Sequence, residues 1–174
     1  DTHQPLFNYF KQLFAQVTNP PIDAIREKVV TSKTVYTGKE GNLLEDKPEN
    51  CNVIKIENPI LTNTDMLKLR NMQIEGYKVA DIPITYYRNT SLDKALDRVC
   101  LDVDRAYREG ANLLILTDKG VDEFQAPIPS LLAVSAVHQH LVRTKKRTSI
   151  SVILESGEPR EVHHFATLLG YGAS

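Results

Sequence analysis

The sequence predicts an α/β fold made of parallel β/α units, a partial or incomplete (β/α) barrel with an irregular helical amino-terminal part. Three observations carry this reading. Residues 112–117 and 150–154 are short, continuously apolar runs, the pattern of strands covered on both faces. Each is followed by a polar turn and then by a helical pattern of apolar residues. A β-rich run over 79–87 likewise precedes a long amphipathic segment, so strands and helices alternate from about Tyr77 onward. The whole of 1–174 is expected to be a single domain, α-rich and irregular over 1–76 and βαβαβα over 77–174.

The elements follow in order. Residues 5–17 form a candidate helix with Leu6, Phe10, Leu13, Phe14 and Val17 on one face and Phe7 and Tyr9 flanking it. Asn19-Pro20-Pro21 ends it, because a residue before proline is pushed out of the α region, and a second helix can run from Ile22 to Val30. The segment 37–49 reads as an exposed loop and 51–57 as a weak strand. Thr62 to Asp65 is a capping box opening a helix over 66–72. In the first β-rich run, Pro83 argues against a strictly central strand. Ser91 then caps a helix carrying Leu92, Ala95, Leu96, Val99, Val103 and Ala106 at helical spacing, and Gly110 ends it. Pro129-Ser130 opens the next helix, through Leu141. The terminal strand and its helix complete a unit that ordinarily feeds a further strand, so the chain reads as a piece of a larger one.

Composition narrows the partners. With 41% hydrophobic and 25% charged residues the chain can bury a core. A net charge of -1 provides no field for nucleic acid or an anionic membrane, and Lys145-Lys146-Arg147 is too short to change that. No apolar run approaches the ~20 residues of a membrane helix. Cys51 and Cys100 have no metal-site spacing and read as reduced thiols in a cytoplasmic protein.

Chemistry is sought at the carboxyl ends of the parallel strands, where α/β folds place their sites. Asp118 with Lys119 and Glu155 could provide a base and a cation, although strand-end acids also hold loop backbone and cap helices, which is the favoured role. Gly157 could admit a phosphate at a helix amino terminus, but no phosphate-loop fingerprint supports this. His138/His140 and His163/His164 lack the three- or four-residue spacing of ligands on one helical face, so packing roles are favoured over metal binding. Ser135 lies mid-helix without a nucleophile elbow and reads as a small packing residue. The aromatic group near the amino terminus is read as core or, failing that, as an interdomain face.

Longer strings then carry a resemblance. Residues 5–23 (PLFNYFKQLFAQVTNPPID) with Ile25-Arg26-Glu27, then Gly41 to Leu44, Pro59 to Thr62, Gly110 to Asn112, Leu114 to Asp118, Ala126 to His138 and Gly157 to Ala173 resemble the central domain of the glutamate synthase large subunit. Ala24 and Lys28 depart from the family pattern, where proline and an acidic residue are expected. The resemblance implies a parent enzyme that makes glutamate from glutamine and 2-oxoglutarate. Its glutaminase domain releases ammonia, which travels through a tunnel to an FMN-containing synthase domain served by an iron-sulfur cluster and by NAD(P)H or ferredoxin.

On that resemblance the chain is a connector between the glutaminase and FMN-binding domains, supports ammonia channelling, and is inactive alone. No catalytic residue, cofactor site or metal site carries over to it. Asn19, Pro20, Pro21, Asp23, Arg26 and Glu27 are the first candidate interdomain contacts, because a rigid Pro-Pro turn bearing charges is a well-fixed surface. Asp118, Glu155, His163 and His164 form the second group. Dimerisation through an open barrel edge is a further expectation, as is a cytoplasmic or plastid location. The competing reading is a small stand-alone α/β enzyme or metabolite-binding domain using Asp118, Lys119 and Glu155.

Overall fold

Five-residue strands with every second side chain on the same face organise the molecule. A computed structural model describes residues 4–12 and 22–174. Strands β3 (Val79–Pro83), β5 (Leu113–Thr117) and β7 (Ser151–Glu155) form a parallel sheet in the order β3-β5-β7, with Val79 opposite Leu113 and Leu113 opposite Ser151. The remaining strands make two small antiparallel pairs, β1 (Val35–Thr37) with β2 (Ile54–Ile56) and β4 (Thr85–Tyr87) with β6 (Gln125–Pro127). The helices are α1 (Ala24–Val30), α2 (Asn63–Arg70), α3 (Leu92–Arg108), α4 (Ser130–Arg143) and α5 (Val162–Gly170).

The sheet is covered on both faces, which explains the continuously apolar runs. Ile82, Leu114, Leu116 and Val152 meet Ala95, Val99, Val103 and Ala106 of α3 and Leu131, Val134, Val137 and Leu141 of α4. The alternate residues Leu113, Ile115 and Ile153 meet Met66 and Leu69 of α2, with Ile54 of β2 packed against them. Both crossover helices therefore lie on one face, and α2 with the β1–β2 hairpin on the other. All five residues of β5 are buried, as a central strand requires.

The expectations for 77–174 are met in outline. Gly110 takes a positive φ of 90° just beyond α3, the conformation that glycine adopts without cost. The run 79–87 divides in two. Ile84 donates its N–H to the Thr117 carbonyl, and Arg98 of α3 takes the carbonyls of Pro83 and Thr85, so the chain leaves the sheet and β4 turns to β6. Pro83 ends an edge strand, where a missing N–H does no harm. Ser91 stands at the amino-terminal cap of α3 but its hydroxyl makes no capping bond.

The amino-terminal part departs further from expectation. It is not only helical: the β1–β2 hairpin closes across residues 38–53, a pairing that no local pattern announces. The Ser151 hydroxyl fastens it to the sheet, accepting from the Gly38 N–H (2.8 Å) and donating to the Gly38 carbonyl (3.1 Å). Within the expected helix 5–17, residues Leu6–Phe10 form a 3-10 turn, while Leu13, Phe14 and Val17 lie outside the described residues. Phe7, expected to flank the buried face, is fully buried, and Phe10 is exposed. A 3-10 turn has three residues per turn rather than 3.6, which changes the residue that faces inward. The described residues build a three-stranded parallel sheet with helices rather than a closed barrel.

Candidate functional site

The parallel register brings Pro83, Thr117 and Glu155 side by side at the carboxyl ends of the strands. Helix α2 reaches the same end, because its capping box, Thr62 with Asp65, sets its start so that Arg70 is its last residue. The Arg70 guanidinium grips Glu155 with two bonds, Nη1 to Oε1 at 3.1 Å and Nη2 to Oε2 at 2.6 Å. Its Nε–H is shared between the Asp81 oxygens at 3.0 and 3.2 Å. Lys119 Nζ approaches Glu155 Oε1 at 2.8 Å, and the Thr117 hydroxyl donates to Oε2 at 2.9 Å. Two cations and two carboxylates thus neutralise one another at a site where Glu155 is 12% exposed.

This arrangement decides what Glu155 can do. The Arg70 bonds hold its carboxyl down at about 2 against an ordinary 4.5, outweighing burial, with the Lys119 and Thr117 bonds adding to the effect. The same contacts raise the Arg70 guanidinium. An acid that stays ionised far below neutrality is a poor proton donor or acceptor at pH 7. It is well suited to locking α2 onto the sheet.

Asp118 lies next along the strand ends and binds the neighbouring loop. Its Oδ2 accepts from the Ser156 hydroxyl (2.5 Å) and from the Gly157 N–H (3.2 Å). Glu158, which sequence reasoning read only as part of a turn, accepts at Oε2 from the Ser130 N–H (2.7 Å) and hydroxyl (2.5 Å). It therefore occupies the amino terminus of α4, where an anion is favoured. Gly157 lies several residues ahead of α5, which begins at Val162, and is not at a helix terminus where a phosphate would be held.

His163 and His164 face the amino-terminal turn. His163 Nε2–H donates to the Phe7 carbonyl at 2.9 Å. The buried His164 ring stacks on Phe7 with centroids 4.5 Å apart, and its Nδ1 accepts from the Arg160 N–H at 3.1 Å. The other helix histidines diverge as their spacing suggests: His140 Nε2 meets Asp104 at 3.0 Å, while His138 Nδ1 accepts from Arg147 Nε at 3.1 Å. Among the described residues no three His, Cys, Asp or Glu side chains converge as metal ligands would.

The first group of candidates is separate from the strand ends. Asp23 caps α1, its Oδ1 accepting from the Ile25 N–H at 2.9 Å, and Glu27 accepts from the Thr31 hydroxyl at 2.7 Å. Arg26 is exposed. Ile22, Ile25, Val29 and Val30 are 59–84% exposed beside them. Asn19, Pro20 and Pro21 lie outside the described residues. Sequence reasoning missed Arg70 and Asp81, since neither stands in a motif and each acts through a distant partner.

Among the described residues no helix is long and apolar enough to cross a membrane. The family profile described as the glutamate synthase central domain matches residues 1–174. The chain is 50% identical over 173 residues to the glutamate synthase [NADPH] large chain of Bacillus subtilis, covering 99% of this chain and 11% of that protein. It is 43% identical over 178 residues to a glutamate synthase [NADH] of Schizosaccharomyces pombe, covering 99% of this chain and 8% of that one. It is 41% identical over 181 residues to ferredoxin-dependent glutamate synthase 2 of Synechocystis, covering 99% and 11%. It therefore spans about a tenth of the length of these relatives. With its full length matched by one family profile and by relatives at this level of identity, the chain belongs to the glutamate synthase central domain family.

Proposed function

We propose that this domain is the connector of a glutamate synthase, holding a glutaminase domain and an FMN-binding synthase domain of the same chain in register so that ammonia passes between them. The parent makes glutamate from glutamine and 2-oxoglutarate, with FMN and an iron-sulfur cluster held by its other parts, in the cytoplasm or a plastid. Residues 1–174 act as one unit, and the sequential order β3-β5-β7 with α3 and α4 on one face favours a segment of a (β/α) barrel.

The observation that carries the reading is α1. It is a short, capped helix whose Ile25, Val29 and Val30 side chains, with Ile22 just ahead of its cap, are left in solvent next to Asp23, Arg26 and Glu27. Apolar groups gathered on one exposed element mark a contact surface. The interlocked charges of Arg70, Asp81, Lys119 and Glu155 support a rigid frame, which is what register between two active sites needs. The test is Arg26→Ala in the full-length parent, with glutamine hydrolysis and glutamate formation measured together. Glutamine hydrolysed without matching glutamate is the expected result; unchanged coupling removes Arg26 from the interface.

A further inference from the structure

Arg147 ties three separate parts of the chain together. Its Nε–H donates to His138 Nδ1 of α4 at 3.1 Å, its Nη1 to the Ile150 carbonyl just ahead of β7 at 2.6 Å, and its Nη2 to the Gly172 carbonyl just after α5 at 3.2 Å. A guanidinium only donates, so the bond to His138 requires an Nδ1 that carries no proton. In the neutral imidazole the ring proton then sits on Nε2.

The His138 ring has little room to swing away. Gly172 lies against it at a positive φ of 117°, and a side chain at 172 would collide with the ring. A proton added at Nδ1 removes the acceptor and sets an imidazolium beside the Arg147 guanidinium. Burial first, and then Arg147, hold the His138 imidazole below its ordinary 6.5. The neighbouring charges are engaged elsewhere. Glu40, in the loop after β1, acts on Arg147, and Asp104 of α3 bonds to His140 and Lys146. On α5, His163 donates to the Phe7 carbonyl, while His164 accepts from the Arg160 N–H and faces Glu161 at the end of the helix remote from Gly172.

We propose that His138 and Arg147 form a proton-operated latch on the turn at 171–173. With Nδ1 unprotonated, Arg147 holds the turn against α4 and the start of β7; with Nδ1 protonated, the bond to Gly172 breaks and the turn opens. The Gly172 bond yields first because it is the longest of the three, whereas the 2.6 Å bond keeps the guanidinium on Ile150. Opening also frees Tyr171, whose ring meets that of Phe10 edge-on with centroids 5.0 Å apart, so one proton loosens the contact between α5 and the 6–10 turn. The open turn takes up its proton near the ordinary 6.5 and the closed turn only at lower pH, so closure is fully favoured above 6.5 and weakens as pH falls below it. The latch is independent of the connector reading, since all its parts lie within the described residues.

The experiment is amide hydrogen exchange on the full parent chain at about pH 7.5 and about pH 5.5, in wild type and His138→Asn, corrected for the intrinsic effect of pH on exchange. Mass spectrometry reads the peptide covering 168–174. The asparagine Oδ1 can accept from Arg147 as Nδ1 does, and it takes up no proton in this range. Protection of the wild-type peptide should fall about five- to tenfold between the two pH values, while the variant stays protected at both. A wild-type change below about twofold, or an equal fall in the variant, overturns the latch. If the variant does not fold, hydrogen–deuterium exchange at the imidazole C2 position reports the titration of His138 in the wild type. A midpoint below 6.5 together with the wild-type fall in protection upholds the latch, and a midpoint at or above 6.5 overturns it.

Discussion

Glu155 joins more elements than any other single side chain at the strand ends, since Arg70 brings α2, Thr117 brings β5 and Lys119 the loop that follows β5. Its depressed carboxyl makes a signed prediction. The folded state keeps Glu155 ionised where the unfolded chain takes up a proton, so the stabilisation is complete above about pH 4.5 and is lost as pH falls towards about 2. Between pH 7 and pH 3 the wild type should lose about 1–2 kcal/mol more than Glu155→Gln, allowing for solvent screening at the exposed Lys119. Urea unfolding of both proteins at the two pH values measures the difference, and equal losses would show that the pairing contributes nothing. Phe7 is the second residue of consequence. Fully buried and stacked on His164, it should cost about 3–4 kcal/mol as Phe7→Ala and free the 6–10 turn from α5, seen as a lower melting temperature and new proteolysis near the amino terminus. Neither role was legible beforehand. Helical spacing pointed to Leu6 and Phe10 over Phe7, and nothing around Arg70 reveals that its partner lies 85 residues away.

At the scale of elements, local chemistry was legible where it acts within a few residues. The capping box is an example: the Asp65 N–H donates to the Thr62 hydroxyl at 3.2 Å, and the Thr62 N–H donates to Asp65 Oδ2 at 3.1 Å. Thr62→Ala should destabilise by about 1 kcal/mol. Because the box is reciprocal, adding Asp65→Ala should cost less than the sum of the two single changes, which thermal unfolding of the three variants would check. The apolar runs 112–117 and 150–154 and the helices after them were equally legible, because burial on both faces of a strand leaves an unbroken hydrophobic string. The division of 79–87 into β3 and β4 was not. It depends on Arg98, Thr117 and β6 competing for that backbone, and only the packed fold brings them together.

For the whole molecule, the exposed apolar residues of α1 separate a packing role from a docking role. Ile25→Asp with Val29→Asp should shift the stability of the domain by less than about 0.5 kcal/mol, since both side chains are already in solvent. The same pair in the parent chain should uncouple glutamine hydrolysis from glutamate formation, and intact coupling would count against α1 as the contact. The sequence alone determined the β/α alternation of 77–174, the capping box at Thr62, the continuously apolar strands and the family, because each is written in neighbouring residues or in long matching strings. Only the tertiary structure decided the β1–β2 hairpin, the fastening of Gly38 to Ser151 across 113 residues and the charge cluster around Glu155. The physical reason is that these depend on which distant segments meet, and a hydrophobic period or a capping residue specifies the shape and buried face of an element without specifying its neighbour.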